Sequence, residues 1–263
     1  MSKGKIITIS ILSFLVVFTT VLFGFVFRLR QVNISGDLYG LDLTNDEIIK
    51  TSNLKLGTSI FMLDKDDAIS KIEAQYPKLK VVQIKTTGVT KVEIVVRQRK
   101  SLFTCQNGAN YLVLDEELKV LEVLSHKPDL IEIDATLLNI DGNTRAGDFV
   151  SKNNLEKVTN DFYVALLRTV KIENTDTFVE HNDILDLIVD FKIKKGNTLE
   201  EEYDRLVVTT KYGVVIDIAK PNVDLLYKVN ICFATINELD DNTRGTIKYF
   251  YLDNGDPYCG YFE

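Results

Sequence analysis

From Ile6 to Phe27 the chain reads IITISILSFLVVFTTVLFGFVF, without a single charge. Wound as a helix, about 22 such residues reach about 33 Å, enough to cross a hydrocarbon core about 30 Å thick. Its polar residues, Thr8, Ser10, Ser13, Thr19 and Thr20, are small enough to bond back to the helix's own carbonyls. A lone span in lipid has no other form that satisfies its backbone. The run is longer than the apolar part of a cleaved leader, and it ends Gly24-Phe25-Val26-Phe27-Arg28 without a small-residue cleavage site. The pattern predicts one retained transmembrane helix over 6–27 behind a cytoplasmic stub, 1–5. Lys3 and Lys5 precede the span and Arg28 and Arg30 follow it, so flanking charge orients it only weakly. The shortness of the stub favours a single-pass type II arrangement, with the bulk of the chain outside the cell.

Beyond the span the periodicity changes. Val32 and Ile34 alternate with polar residues up to Ser35-Gly36, a short strand and a turn. Thr44-Asn45-Asp46-Glu47 has the form of a capping box, and Ile48 and Ile49 open the apolar face of the helix it starts. Leu54-Lys55-Leu56-Gly57 closes that helix. Asp64, with Asp66 and Asp67 in the first turn, starts a second one, striped by Ala68, Ile69, Ile72 and Tyr76 and ended by Pro77. The acids here suit a helix start, because the further ligands of a calcium loop are missing. Val82 and Ile84, then Val92, Ile94 and Val96, predict two strands around a turn at Thr87-Gly88. The order over 30–99 is β-α-α-β-β.

From 101 to 263 the chain reads as a second, larger, β-rich domain with two amphipathic helices. Strands are expected at Leu102–Cys105, Tyr111–Asp115, Lys119–Val123, Ile184–Phe191, Arg205–Thr210 and Val214–Ile218. Leu155, Val158, Phe162, Ala165, Leu166 and Thr169 predict a helix over Lys152–Val170. Asn222 is placed to cap a second helix, faced by Val223, Leu226, Val229, Phe233 and Ile236. Two aromatic-rich runs end the sequence, 245–252 and 257–263, joined by Asp253-Asn254-Gly255-Asp256, and Asn-Gly in this setting is a strong hairpin signal. The fold class expected is α+β.

Composition narrows the functions. The net charge is −7, and residues 1–36 carry four basic side chains and no acid, so the remainder stands four lower, at −11. That balance argues against nucleic acid, and against anionic lipid or polymer, as partners. Three cysteines, Cys105, Cys232 and Cys259, lie far apart with no C-x-x-C, so neither a zinc site nor a redox pair is signalled. They read as small buried hydrophobes, with a Cys232–Cys259 bridge left open. The two histidines, His126 and His181, are about 55 residues apart, and no nucleophile elbow, zinc-protease helix or glycine-rich phosphate loop is present. Acid pairs such as Asp115/Glu116 and the run Glu200-Glu201-Glu202 lie in turns and read as solvated charge. The chain is expected not to be an enzyme and to need no cofactor or metal.

The segment VNISG, followed by Leu54, Gly57, Ile60, Phe61, Leu63 and Asp64 in the pattern L-x-x-G-x-x-I-F-x-L-D, resembles a POTRA domain. A POTRA domain just outside one N-terminal span is the layout of the FtsQ/DivIB bacterial cell-division proteins. Arg99 fits the family's closing Glu-Arg, with Gln98 in place of the Glu and Ser101 in place of a proline. Tyr111, Asp115, Val120 and Leu121 resemble the hairpin that opens the family's β domain, with Leu118 standing for the turn glycine. Lys228 fits a helix lysine of that domain, read as a surface charge. The resemblance implies a septal scaffold, not a catalyst. It would bind FtsB/DivIC- and FtsL-like membrane proteins through the end of its β domain and help to control wall synthesis. Carried onto this chain, the partner-binding residues are Tyr249, Phe250, Tyr251, Tyr258, Cys259, Gly260, Tyr261 and Phe262. A last strand is often an edge strand, able to pair with an extended peptide. Two rival readings are a POTRA-bearing protein of polypeptide transport or sporulation, and a membrane-tethered wall hydrolase.

Overall fold

Thr44 and Glu47 form the capping box that the sequence predicts. The Thr44 hydroxyl accepts from the Glu47 N–H, and the Glu47 carboxylate accepts from the Thr44 N–H at 2.9 Å. Asp64 caps the next helix in the same way, accepting from the Asp67 N–H at 2.9 Å. Local signals of this kind set the boundaries of the elements in the first half of the chain. The computed structural model describes residues 3–167, 170–171, 178–179, 188–195, 203–210, 213–221, 223–238, 247–252 and 258–261. The chain divides into two units, Met1–Arg99 and Lys100–Glu263.

The first unit begins with helix α1, Lys3–Val21, which runs on as a π-helical turn, Leu22–Val26. Side chains of this helix are described from Ser10 onward, and Ile11, Leu12, Phe14 and Val17 stand exposed. The Thr20 hydroxyl donates to the Val16 carbonyl of its own helix at 2.8 Å. No helix among the described residues is long and apolar enough to cross a membrane.

After α1 come β1 (Gln31–Gly36), α2 (Asn45–Ser52), α3 (Lys65–Gln75), β2 (Leu79–Thr86) and β3 (Lys91–Gln98). The sheet order is β1-β3-β2, with β1 parallel to β3 and β2 antiparallel to it. Parallel pairing requires a long crossover, and the two helices supply it, packing Ile48, Ala68 and Ile72 against Val81, Ile84, Val92, Ile94 and Val96. The sequence places Val82 on the core face together with Ile84. The structure buries Val81 instead and leaves Val82 52% exposed. The cause is a bulge between Val81 and Gln83, which inserts one residue and reverses the alternation. Gly36 sits at φ +120, and a Cβ there would lie 1.8 Å from the Val96 carbonyl oxygen, so only glycine fits. Arg99 closes the unit from inside. Its side chain is 1% exposed, it pairs with Glu73 at 2.7 Å, and the same carboxylate accepts the Val81 N–H.

The second unit holds β4 (Phe103–Asn107), β5 (Asn110–Leu114), β6 (Val120–Leu124), β7 (Ile131–Glu132), α4 (Leu155–Leu167), β8 (Val170–Lys171), β9 (Phe178–Val179), β10 (Ile188–Lys195), β11 (Tyr203–Thr210), β12 (Val215–Ala219), α5 (Leu225–Glu238), β13 (Ile247–Leu252) and β14 (Tyr258–Tyr261). Nine described strands make one mixed sheet in the order β14-β13-β12-β11-β10-β7-β4-β5-β6, and β8 pairs with β9 apart from it. Helices α4 and α5 close the core, where Phe162 of α4 meets Phe191 of β10 edge-on at 5.3 Å.

Several expectations shift here. Helix α4 is shorter than 152–170, because Asn153 and Asn154 take left-handed backbone conformations before it and Val170 joins β8 after it. Strand β10 starts later than 184 and runs to Lys195; residues 184–187 lie outside the described ones, as does Asn222, the expected cap of α5. Val223 is exposed ahead of that helix, which buries Leu225, Val229, Cys232 and Phe233. Asp115 and Glu116 are buried, not solvated. Asp115 accepts the Glu117 and Lys119 N–H groups at 2.9 and 2.8 Å, a side-chain mimic of a backbone turn. That turn holds Leu118 at φ +57, the conformation for which a turn glycine is otherwise suited, with its side chain fully buried in the core. Residues Glu200, Glu201 and Glu202 lie outside the described ones.

Candidate partner-binding edge

Two antiparallel strands end the sheet. The predicted hairpin is β13 paired with β14: Tyr249 is opposite Gly260, Phe250 opposite Cys259 and Tyr251 opposite Tyr258. A bulge lies between Ile247 and Tyr249, so two steps of β13 face one of β14. Strand β13 lies parallel to β12, with Val215 against Tyr249, Ile216 against Phe250 and Asp217 against Tyr251. Seven of the eight sequence-derived site residues thus share one two-stranded border, with β14 outermost. Their backbones are described and their side chains are not; Phe262 and the joining turn 253–257 lie outside the described residues.

The support beneath this border is polar as well as apolar. On β11 and β12, Arg205 and Asp217 sit diagonally across the pair and bridge at 2.5 Å. Lys228 is the surprise. It is 6% exposed rather than a surface charge, and its ammonium donates to the Ala219 carbonyl at 2.8 Å and the Lys220 carbonyl at 3.1 Å. Lys220 lies just past β12 with φ +46, so the carbonyls there turn away from the ladder. The lysine on α5 takes them up and fastens the helix to the strand that carries β13. No periodicity signals this, because a lysine in a helical stripe ordinarily points to water.

The opposite border is covered at its start. The Val120 N–H of β6 donates to the Asp148 carbonyl, the Gly147 N–H donates to the Val120 carbonyl, and the Val150 N–H to the Leu118 carbonyl, each at 2.8 to 3.0 Å. Residues 147–150 therefore lie along the start of β6 as a cover. Among the described residues nothing pairs with the outer side of β14. Its sequence, Tyr258-Cys259-Gly260-Tyr261, lacks the charges that usually blunt an exposed edge.

A groove of about 760 Å³ lies where β7 joins β4 to β10, lined by Glu132, Asp134, Asp190 and Lys192 among others. Its acids are already engaged: Glu132 with Lys127, Asp190 with Lys192, and Asp134 with the Thr136 N–H and hydroxyl, which hold the Asp134 carboxyl below its ordinary value. Burial, helped by the charge of Glu132, pushes the Cys105 thiol up to about 11, so it stays protonated at neutral pH. Cys232 is buried too. The side chain of Cys259, its suggested partner, is not described.

Residues 27–99 match the POTRA domain of FtsQ type. The chain is 28% identical over 170 residues to the cell division protein DivIB of Clostridium acetobutylicum, a match spanning 63% of this chain and 64% of that protein, just under two thirds of its length. It is 23% identical to DivIB of Clostridium botulinum strain Hall, over 79% of this chain and 81% of the relative. The solved extracytoplasmic domain of DivIB from Geobacillus stearothermophilus aligns with 51% of this chain and 94% of its own, at 13% identity and a TM-score of 0.24, too low to carry an argument about fold. Over residues 27–99 the chain is thus similar to an FtsQ-type POTRA domain, and over longer stretches to bacterial proteins named DivIB.

Proposed function

We propose that the chain is a membrane-anchored binding protein of the bacterial division machinery, which holds other division proteins together outside the membrane and so helps to control septal wall synthesis. Residues 6–27 serve as the anchor behind a cytoplasmic stub of 1–5, residues 30–99 as the membrane-proximal POTRA domain, and residues 101–263 as the β domain. The partners are membrane proteins of the FtsB/DivIC and FtsL type. One of them adds an extended segment to β14 as a further strand, with Tyr249, Phe250, Tyr251, Tyr258, Cys259, Gly260, Tyr261 and Phe262 as the contact region.

The observation that supports this most is the asymmetry of the nine-stranded sheet. Its β6 border is covered at its start by residues 147–150, while its β14 border ends in an uncharged, aromatic strand with no described neighbour. An uncovered edge offers N–H and C=O groups at strand spacing, and alternate side-chain positions give selectivity. The exposed aliphatic and aromatic side chains along α1 support the anchor, since a helix surface of that kind calls for an apolar environment.

The test is a pull-down from detergent-solubilised membranes with the full chain and with a version lacking Pro257–Glu263. Loss of the captured membrane protein with an unchanged melting temperature supports the edge. Equal capture by both versions refutes it. Release of the full chain by alkaline carbonate would overturn the anchor.

A further inference from the structure

The end of the first unit nearest α1 differs from the rest of the protein. Three segments meet there. The Ile60 N–H donates to the Phe27 carbonyl, the Leu29 N–H to the Thr58 carbonyl and the Gly57 N–H to the Leu29 carbonyl, at 2.8 to 2.9 Å. The Arg30 N–H donates to the Thr90 carbonyl at 2.8 Å. The loop after α2 and the turn between β2 and β3 are thus tied by backbone bonds to the residues that follow α1. Both present large apolar side chains outward: Leu56 is 66% exposed, Phe61 62%, Met62 79% and Val89 54%. Phe61 also meets Phe27 edge-on at 5.2 Å, so the exposed patch is continuous with the end of the helix.

Charge at this end has the opposite sign to the whole. Residues 22–36, 54–63 and 84–92 contain Arg28, Arg30, Lys55, Lys85 and Lys91, against the acids Asp37, Asp64 and Glu93 that directly follow them, an excess of basic charge in a chain of net charge −7. Lys85 is paired with Glu93 at 3.2 Å. The overall balance argues against an anionic surface as partner; the arrangement in space gathers basic residues and bulky apolar ones at one place. Apolar groups that enter the headgroup boundary, ringed by Lys and Arg facing lipid phosphates, are the chemistry of interfacial seating.

We propose that this end of the first unit seats on the anionic headgroup layer of the bilayer, with Leu56, Phe61, Met62 and Val89 entering the boundary between headgroups and acyl chains. The inference rests on the anchor reading of α1 and goes beyond it: the domain is held against the membrane by a second, peripheral contact and does not swing freely on a tether. Seating fixes the orientation of β1, which runs away from the membrane and puts Gly36 roughly 16 Å further out than Gln31.

The chain has no tryptophan, so one added tryptophan reports its own surroundings. The full chain carrying Met62→Trp, Leu56→Trp, Val17→Trp or Tyr39→Trp would be reconstituted into vesicles of phosphatidylcholine and phosphatidylglycerol. Matched vesicles would carry bromines either near the headgroups or deep in the chains. Met62→Trp and Leu56→Trp should emit to the blue of Tyr39→Trp and lose about half of their intensity to shallow bromines. Val17→Trp should be quenched by deep bromines. If Val17→Trp is quenched while Met62→Trp and Leu56→Trp both behave as Tyr39→Trp does, the seating is wrong and the anchor stands. If Val17→Trp is not quenched, both ideas fall.

Discussion

Gly36 illustrates how one residue decides a local outcome. It ends β1 with φ +120 beside the Val96 carbonyl, where a methyl group would lie at 1.8 Å. Gly36→Ala should cost about 3 kcal/mol or more, since it combines strained backbone with a collision against main chain. Urea titration of the full chain, followed through the first unit, checks this. Arg99 and Glu73 make the matching polar case. Their bridge is nearly dry and is shared with the Val81 N–H, so Glu73→Ala strands buried donors and should destabilise by about 3 kcal/mol. A change below 1 kcal/mol, read as a shift in urea midpoint, would show that water reaches the pair. Glu47 makes a pH argument. The Thr44 N–H and hydroxyl hold its carboxyl below the ordinary 4.5, whereas the unfolded chain offers no such bonds. The capping box therefore contributes fully above about pH 4.5 and loses its contribution as pH falls through the lower, folded value. Glu47→Gln should flatten the acid limb of the melting curve below about pH 4.5; an unaltered limb would assign acid loss to other carboxylates.

At the scale of elements, helices reveal themselves through their ends and strands through their neighbours. Thr44, Asp64 and Pro77 delimit α2 and α3 because caps and proline act within one turn of chain. Strand faces are less legible. Val82 points outward only because a bulge at Val81/Gln83 resets the alternation, and bulges arise from pairing with another strand. Asp115 and Glu116 look like turn charges, yet the turn itself is folded under residues 147–150 and α4, where the Thr159 hydroxyl donates to the Glu116 carbonyl at 2.7 Å. Lys228 follows the same logic: its partners are carbonyls eight and nine residues back, released by the left-handed Lys220. Lys228→Met keeps the stem and removes the donors. It should destabilise by about 1–3 kcal/mol and speed amide exchange in β12 and α5 more than in β5. Uniform acceleration across all three would mean that Lys228 does not act as a local fastener.

For the whole molecule, the sheet has two ends of different character, and a strand-adding partner should sense only one. A lysine on an edge strand discourages further pairing. Cys259→Lys should weaken capture of the membrane partner by about tenfold, or about 1.4 kcal/mol. The same change at Glu122 of β6, on the opposite border, should leave capture as it was. Equal loss at both positions, measured by titrated pull-down, would point to a general effect of charge. The sequence by itself determined the uncharged run near the start, the β-α-α-β-β order of the first unit, the caps of its helices and the closing hairpin, because each depends on residues a few positions apart. Tertiary structure decided that β12 lies parallel to β13 with β14 outermost, that Val81 replaces Val82 in the core, and that Asp115, Glu116 and Lys228 are buried. It also gathered Leu56, Met62 and Val89 with the basic residues around the end of α1. Those outcomes depend on segments far apart in the chain becoming neighbours, and the spacing of residues along one segment carries no record of which other segment will lie against it.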